Sequence, residues 1–167
     1  KVVSNATAAL HLAYLAIGLK KGDVVWTSPN TYVATANAAL YCGAEVDFVD
    51  IDARTYNMSV LSLEAKLKQA KRDKKLPKLV VPVHFSGQSC EMKDIWKLSQ
   101  EYGFKIIEDA SHALGAEYLG KKVGCCEYSH MALFSFHPVK MITTGEGGAI
   151  VTNDNELDEQ VSLLRSH

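Results

Sequence analysis

The chain has 167 residues, 47% apolar and 22% charged, with 18 Lys and Arg against 19 Asp and Glu for a net charge of −1. This is the profile of an ordinary globular chain long enough for one core, and the near-neutral balance excludes the electrostatic footprint of a nucleic-acid binder or of a protein held on an anionic membrane surface. No apolar run approaches the roughly 18–20 residues that span a bilayer, and no leader pattern opens the chain, so the expected location is the cytoplasm. Cys42, Cys90, Cys125 and Cys126 have neither the density of a disulfide scaffold nor the spacing of a zinc site, and read as reduced thiols. No metal is expected. The sequence opens at Lys1, on what reads as the end of a strand, and stops at His167 just after a helical pattern. It is therefore expected to be a piece of something larger.

In chain order, Val2-Val3 runs through Ser4-Asn5-Ala6 into a helical pattern over Thr7–Leu19. Short apolar runs then alternate with helical periodicity. Strands are predicted at Val24–Thr27, Val46–Val49, Leu79–Val83, Lys105–Glu108, Met131–Ser135 and Ala149–Thr152, and helices at Val33–Tyr41, Val60–Lys71, Glu91–Tyr102 and Asp154–Leu164. Such alternation, without repeats or linkers, predicts one α/β unit: a three-layer α/β/α sandwich around a mostly parallel sheet. Ligands of such sheets gather beyond the carboxyl ends of the strands.

Three segments at those ends carry chemistry. At Ser4-Asn5-Ala6-Thr7, small and capping residues begin a helix whose free N–H groups and dipole suit an anion, with Ala6 permitting close approach and Thr7 offering a hydroxyl. The plainer reading is an N-cap with no ligand. In Glu108-Asp109-Ala110-Ser111-His112, an acid at a strand end can bind a ring nitrogen and keep it protonated. His112 could donate to a phenolate oxygen. Equally, Asp109 could cap a loop and His112 could be structural. The third segment is Ser135-Phe136-His137-Pro138-Val139-Lys140, followed by Thr143-Thr144-Gly145-Glu146-Gly147-Gly148. A lysine in a turn between strands, flanked by apolar residues that limit water, is a candidate Schiff-base lysine because desolvation frees its amine. Most lysines are only solvated charges. Ser135 can turn its hydroxyl to the same anion as Thr7.

Together, Ser4–Leu10, Pro29–Ala34, Pro82–Gly87, Glu108–Gly115 and Ser135–Gly148 resemble, in order and spacing, the DegT/DnrJ/EryC1/StrS family of pyridoxal-phosphate-dependent sugar aminotransferases. The resemblance spans practically the whole chain. It implies the large domain of a fold-type I aminotransferase, with residues 1–167 as its central part and an amino-terminal segment and a small carboxyl-terminal domain lying outside them. It further implies pyridoxal 5′-phosphate attached to Lys140, with Asp109 on the pyridinium nitrogen. Ala6, Thr7 and Ser135 would hold the phosphate, Tyr32 would stack on the ring, and His112 would stand near the ring oxygen. The implied reaction moves an amino group from an amino acid, expected to be L-glutamate, to a 4-keto-6-deoxy sugar nucleotide, in a homodimer that shares its active sites between subunits. Met141 departs from the asparagine that is frequent after the family's lysine.

Three other readings stand beside this one. Sugar dehydratases of the same family place histidine where Lys140 stands. A non-catalytic module could keep the fold without the reaction. An unrelated nucleotide-binding domain would carry Gly-x-Gly-x-x-Gly after its first strand, whereas the glycines here cluster late, at Gly145, Gly147 and Gly148.

Overall fold

The computed structural model describes residues 1–166. The elements are β1 (Val2–Val3), α1 (Ala6–Ala16), β2 (Val24–Thr27), α2 (Val33–Tyr41), β3 (Glu45–Phe48), α3 (Val60–Asp73), β4 (Leu79–Val81), α4 (Met92–Tyr102), β5 (Lys105–Asp109), β6 (Glu117–Tyr118), β7 (Lys121–Lys122), β8 (Met131–Ser135), β9 (Gly148–Val151) and α5 (Asn155–Arg165). Seven strands form one sheet in the order β1-β9-β8-β5-β4-β2-β3. The run from β3 to β8 is parallel, β9 is antiparallel to β8, and β1 is antiparallel to β9. β1 thus runs in the same direction as the parallel strands, which delivers the start of α1 to the edge where β2, β4, β5 and β8 end. β6 and β7 form a separate small hairpin.

Side-chain alternation along the central strands divides the core into two layers. Val25, Val81 and Ile107 pack on one face with Ala9, Ala13 and Tyr14 of α1, whereas Trp26, Val80 and Ile106 pack on the other with Leu63, Leu67 and Ile95 of α3 and α4. The same alternation assigns neighbouring acids to opposite layers: Asp109 follows Ile107 to the α1/α2 side, and Glu108 follows Ile106 to the other. The expected three-layer arrangement with a mostly parallel sheet is what the chain adopts.

Boundaries moved where local chemistry overrode periodicity. α1 stops at Ala16, short of the expected Leu19, because Gly18 turns to φ +77° and the chain closes back through Gly18 N–H on Leu15 O (2.8 Å) and Leu19 N–H on Tyr14 O (3.0 Å). β4 ends at Val81 because Pro82 has no N–H to donate. Pairing nevertheless continues, since Asp109 N–H donates to Pro82 O (2.9 Å) and His84 N–H to Asp109 O (3.1 Å). Asp154 lies just outside α5 as its N-cap, accepting from Glu156 N–H (2.9 Å) and Leu157 N–H (3.2 Å). Among the described residues, no helix is long and apolar enough to cross a membrane, and no group of three or more His, Cys, Asp or Glu could hold a metal ion.

The layer assignment is testable on α3, where Leu67 is 0% exposed and Leu61 is 79% exposed. Leu67→Ala is expected to cost about 2–5 kcal/mol in denaturant unfolding and Leu61→Ala no more than about 0.5 kcal/mol. Equal losses would contradict the packing described.

Candidate active site

All seven residues singled out in the sequence line one cleft of about 370 Å³ at the carboxyl edge of the sheet. Ala6 and Thr7 stand at its rim on the first turn of α1. There the Asn5 carboxamide accepts from Ala8 N–H (2.8 Å), and the Asn5 carbonyl from Ala9 N–H (3.1 Å). Among the described residues, no acceptor takes the N–H groups of Ala6 and Thr7, so two donors and the positive end of the helix dipole remain for a ligand. Gly148, at the start of β9, makes this corner possible. A Cβ there would lie 2.6 Å from the Asn5 carbonyl carbon and 2.8 Å from the Ala6 nitrogen, so any side chain would push the strand away from the helix start. Ser135, 7% exposed, ends β8 on the same cleft.

Asp109 ends β5 and is 4% exposed. Its Oδ2 accepts from the Thr35 hydroxyl at 2.8 Å and its Oδ1 from Ser111 N–H at 3.2 Å. Lys140 lies across the cleft in a turn closed by its own N–H on His137 O (2.9 Å), and the neck of that loop is tied by Phe136 N–H on Gly147 O (2.9 Å) and Thr144 N–H on Phe136 O (3.1 Å). Desolvation holds the Lys140 ammonium below the usual lysine value, and the Asp109 charge opposes that shift. Val139 and Met141 are 78% and 65% exposed, so the expectation that apolar sequence neighbours limit water at this lysine is not met by those two residues. His112 stands at the mouth with its pKa below the usual histidine value, through desolvation first and the Lys140 charge second, with Asp109 opposing. The shift favours the neutral imidazole, which has one donor and one acceptor nitrogen. Tyr32, the N-cap residue of α2, is 76% exposed and is among the residues lining the cleft.

Three further groups belong to the site and were not singled out in the sequence. Thr35 holds the Asp109 carboxylate, and Thr31 holds Thr35 through a hydroxyl–hydroxyl contact of 2.8 Å. Behind the cleft, on the opposite sheet face, His84 Nε2 meets Glu108 Oε2 at 2.8 Å, and the Ser129 hydroxyl donates to Glu108 Oε1. Cys90 N–H donates to His84 Nδ1 (3.1 Å), which puts the ring proton on Nε2, facing the carboxylate. The signal available for the threonines was their i, i+4 spacing across the start of α2. His84 and Glu108 lie in segments that carry the resemblance, but nothing in the sequence pairs them across the 24 residues between them.

A profile of the DegT/DnrJ/EryC1/StrS aminotransferase family matches residues 2–167. The chain belongs to this family. Among other DegT/DnrJ/EryC1/StrS relatives, the UDP-4-amino-4,6-dideoxy-N-acetyl-β-L-altrosamine transaminase of Campylobacter jejuni is 50% identical over 166 residues, covering 99% of this chain and 42% of its own length. PseC of Helicobacter pylori, an aminotransferase involved in the biosynthesis of pseudoaminic acid, superposes with a TM-score of 0.89 at 39% identity, over 99% of this chain and 43% of that one. NtdA of Bacillus subtilis, solved with bound cofactor PMP, superposes at 0.82 with 30% identity, over 96% of this chain and 34% of that one. The chain thus spans about 42% of the length of the curated relatives it matches.

The desolvation at Lys140 predicts a chemical signature. A lowered pKa leaves more neutral amine at a given pH, so Lys140 is expected to acylate at lower pH than Lys68, whose hydrogen bond to Glu64 holds its pKa above the usual value. Asp109→Asn removes the charge that raises the Lys140 value, and should move its labelling to lower pH still. Peptide mapping of acetylated protein across a pH series reads both effects.

Proposed function

We propose that this chain is the central part of the cofactor-binding large domain of a pyridoxal-phosphate-dependent nucleotide-sugar aminotransferase. On this reading, residues 1–167 supply the cofactor site, and the rest of the enzyme supplies an amino-terminal segment and a small carboxyl-terminal domain. The observation that carries the reading is the convergence of a desolvated lysine, a buried carboxylate and a helix start with free donors on one cleft.

The residues present suit this cofactor. Its phosphate matches the two free N–H groups of α1, the hydroxyls of Thr7 and Ser135, and a corner kept open by Gly148. Its ring nitrogen matches the buried Asp109, its ring oxygen the neutral His112, and its ring face the exposed Tyr32. Lys140 is the one amine lining the cleft, and would attach the group. Bound there, pyridoxal phosphate supplies an electron sink that makes the α-proton of an amino acid acidic.

The protein's part is to place and move protons. Asp109 accepts the N–H of the pyridinium and, by keeping its negative charge beside it, retains the proton on that nitrogen. With the cofactor bound, Lys140 would be the base placed to take the proton from the α-carbon of the donor, proposed to be L-glutamate. Desolvation, which lowers its pKa from the usual lysine value, favours the neutral amine that this role requires. The same amine works in reverse on the second substrate, proposed to be a UDP-linked 4-keto-6-deoxy sugar, so ping-pong kinetics follow. The 50% identity to the altrosamine transaminase supports that sugar class and a role in surface-sugar biosynthesis. Lys140 itself speaks against the dehydratase reading.

A homodimer located in the cytoplasm completes the proposal. Tyr32, Val33, Val139 and Met141 expose 76%, 56%, 78% and 65% of their surface on and beside the cleft, an apolar rim that a second subunit would cover. Sedimentation of the full-length protein is expected to give twice the monomer mass, and an active monomer would refute the assembly.

The function is tested by borohydride reduction of the full-length protein incubated with pyridoxal phosphate. A pyridoxyl adduct mapping to Lys140 is expected, and Lys140→Ala should lose both the adduct and turnover. Asp109→Asn should keep the adduct while turnover falls on the order of 10²-fold or more. Absence of a specific adduct would favour a non-catalytic module.

A further inference from the structure

Thr35 has 0% exposure in the first turn of α2, and Asp109 is 4% exposed at the end of β5. An ionised carboxylate only accepts, so the single hydrogen of the Thr35 hydroxyl lies on the 2.8 Å contact to Asp109 Oδ2. Direction then propagates outward. With its own hydrogen spent, Thr35 Oγ1 can only accept at its 2.8 Å contact with Thr31, which makes Thr31 the donor. The result is a two-hydroxyl chain, Thr31 to Thr35 to Asp109, in which each bond polarises the next. The helix turn that carries it is anchored from the opposite side, because the buried Tyr14 hydroxyl donates to the Thr35 carbonyl at 2.8 Å.

We infer that Thr35 is a positioning residue for the reaction: through its hydroxyl it fixes the rotation of the Asp109 carboxylate, so that the carboxylate's free acceptor site meets the ring nitrogen of the cofactor. Ser111 N–H holds the other oxygen at 3.2 Å. Of the two restraints, the Thr35 bond is the shorter and comes from a different element, so it also sets the distance between α2 and β5. Each carboxylate oxygen keeps a second acceptor site, and Asp109 lines the cleft. Thr35→Val keeps the β-branched shape but leaves Asp109 Oδ2 without its donor and Thr31 without its acceptor. Thr35→Ser keeps the chain.

The inference rests on the role proposed for Asp109, and the test separates the two. Apo full-length protein is titrated with pyridoxal phosphate and with its 1-deaza analogue, in which carbon replaces the ring nitrogen, and the ratio of the two dissociation constants is read. Asp109→Asn should bring the ratio near one. Thr35→Val should reduce the preference for pyridoxal phosphate by roughly tenfold, the worth of one charge-assisted hydrogen bond, with Thr35→Ser near wild type. Thr31→Val, which removes only the outer donor, should give a smaller loss in the same direction and serves as the readout if Thr35→Val does not fold.

Three results would overturn the inference. An unchanged ratio in Thr35→Val, or in Thr31→Val where that variant is the readout, while Asp109→Asn abolishes the preference, would refute the positioning role alone. Equal weakening of both ligands by Thr35→Val would make the threonine a packing residue. An unchanged ratio in Asp109→Asn would remove the assigned role of Asp109 and the inference with it.

Discussion

Two adjacent carboxylates at the end of β5 organise this structure. Glu108 and Asp109 are 5% and 4% exposed, and taking an ion out of water costs on the order of several kcal/mol unless partners compensate. The pleat sends them to opposite faces, so each must be satisfied by a different layer. Glu108 draws in His84 from the segment after β4 and Ser129 from the segment before β8. Asp109 draws in Thr35 from α2 and the Ser111 amide. Three separate stretches of chain are thereby fixed around one strand end, and the cleft lies beside them.

The division of labour between the two acids follows from what partners each. Glu108 faces away from the cleft, its oxygens meeting His84 and Ser129, and the imidazole's other nitrogen accepts from Cys90 N–H. Asp109 is open on one side, toward the α1 start and the Lys140 turn. A third close approach completes the arrangement at Gly148, where β9 meets the start of α1 without room for a side chain. Cofactor chemistry of the kind proposed needs a fixed acid, a fixed anion cradle and a lysine on a tethered loop. The three are delivered by different strands of one rigid sheet edge.

Much of this was legible in the sequence because it depends on local period and strand-end position. The alternation of short apolar runs with helical patterns indicated the layers, and the small residues at Ser4–Thr7 marked the helix start that lines the cleft. Lys140 and Asp109 stood out as reactive types at strand ends. What stayed hidden depends on pairing across distance. Thr35 reads in sequence as one more small residue in an alanine-rich helix, and only folding brings it to an acid 74 residues away. The early end of α1 was missed for a different reason: the apolar pattern continues to Leu19, which is buried, but Gly18 carries it there by a turn rather than another helical step. The expectation that apolar residues limit water at the lysine is not met by its neighbours Val139 and Met141, which are largely exposed.

The pairing of β1 with β9 joins Val2 to Ala149 and Val3 to Gly148, and Lys1 Nζ reaches Asp158 at 2.9 Å. The corner where α1 begins is therefore assembled from segments distant in sequence, one beside Val3 and the other at Gly148. Contacts of such long separation form late, because the loop they close carries the largest entropic cost. The first turn of α1 gains its β9 neighbour only once residues near Gly148 have been synthesised. If this corner holds the cofactor phosphate as proposed, binding requires β9 to be in place against the start of α1.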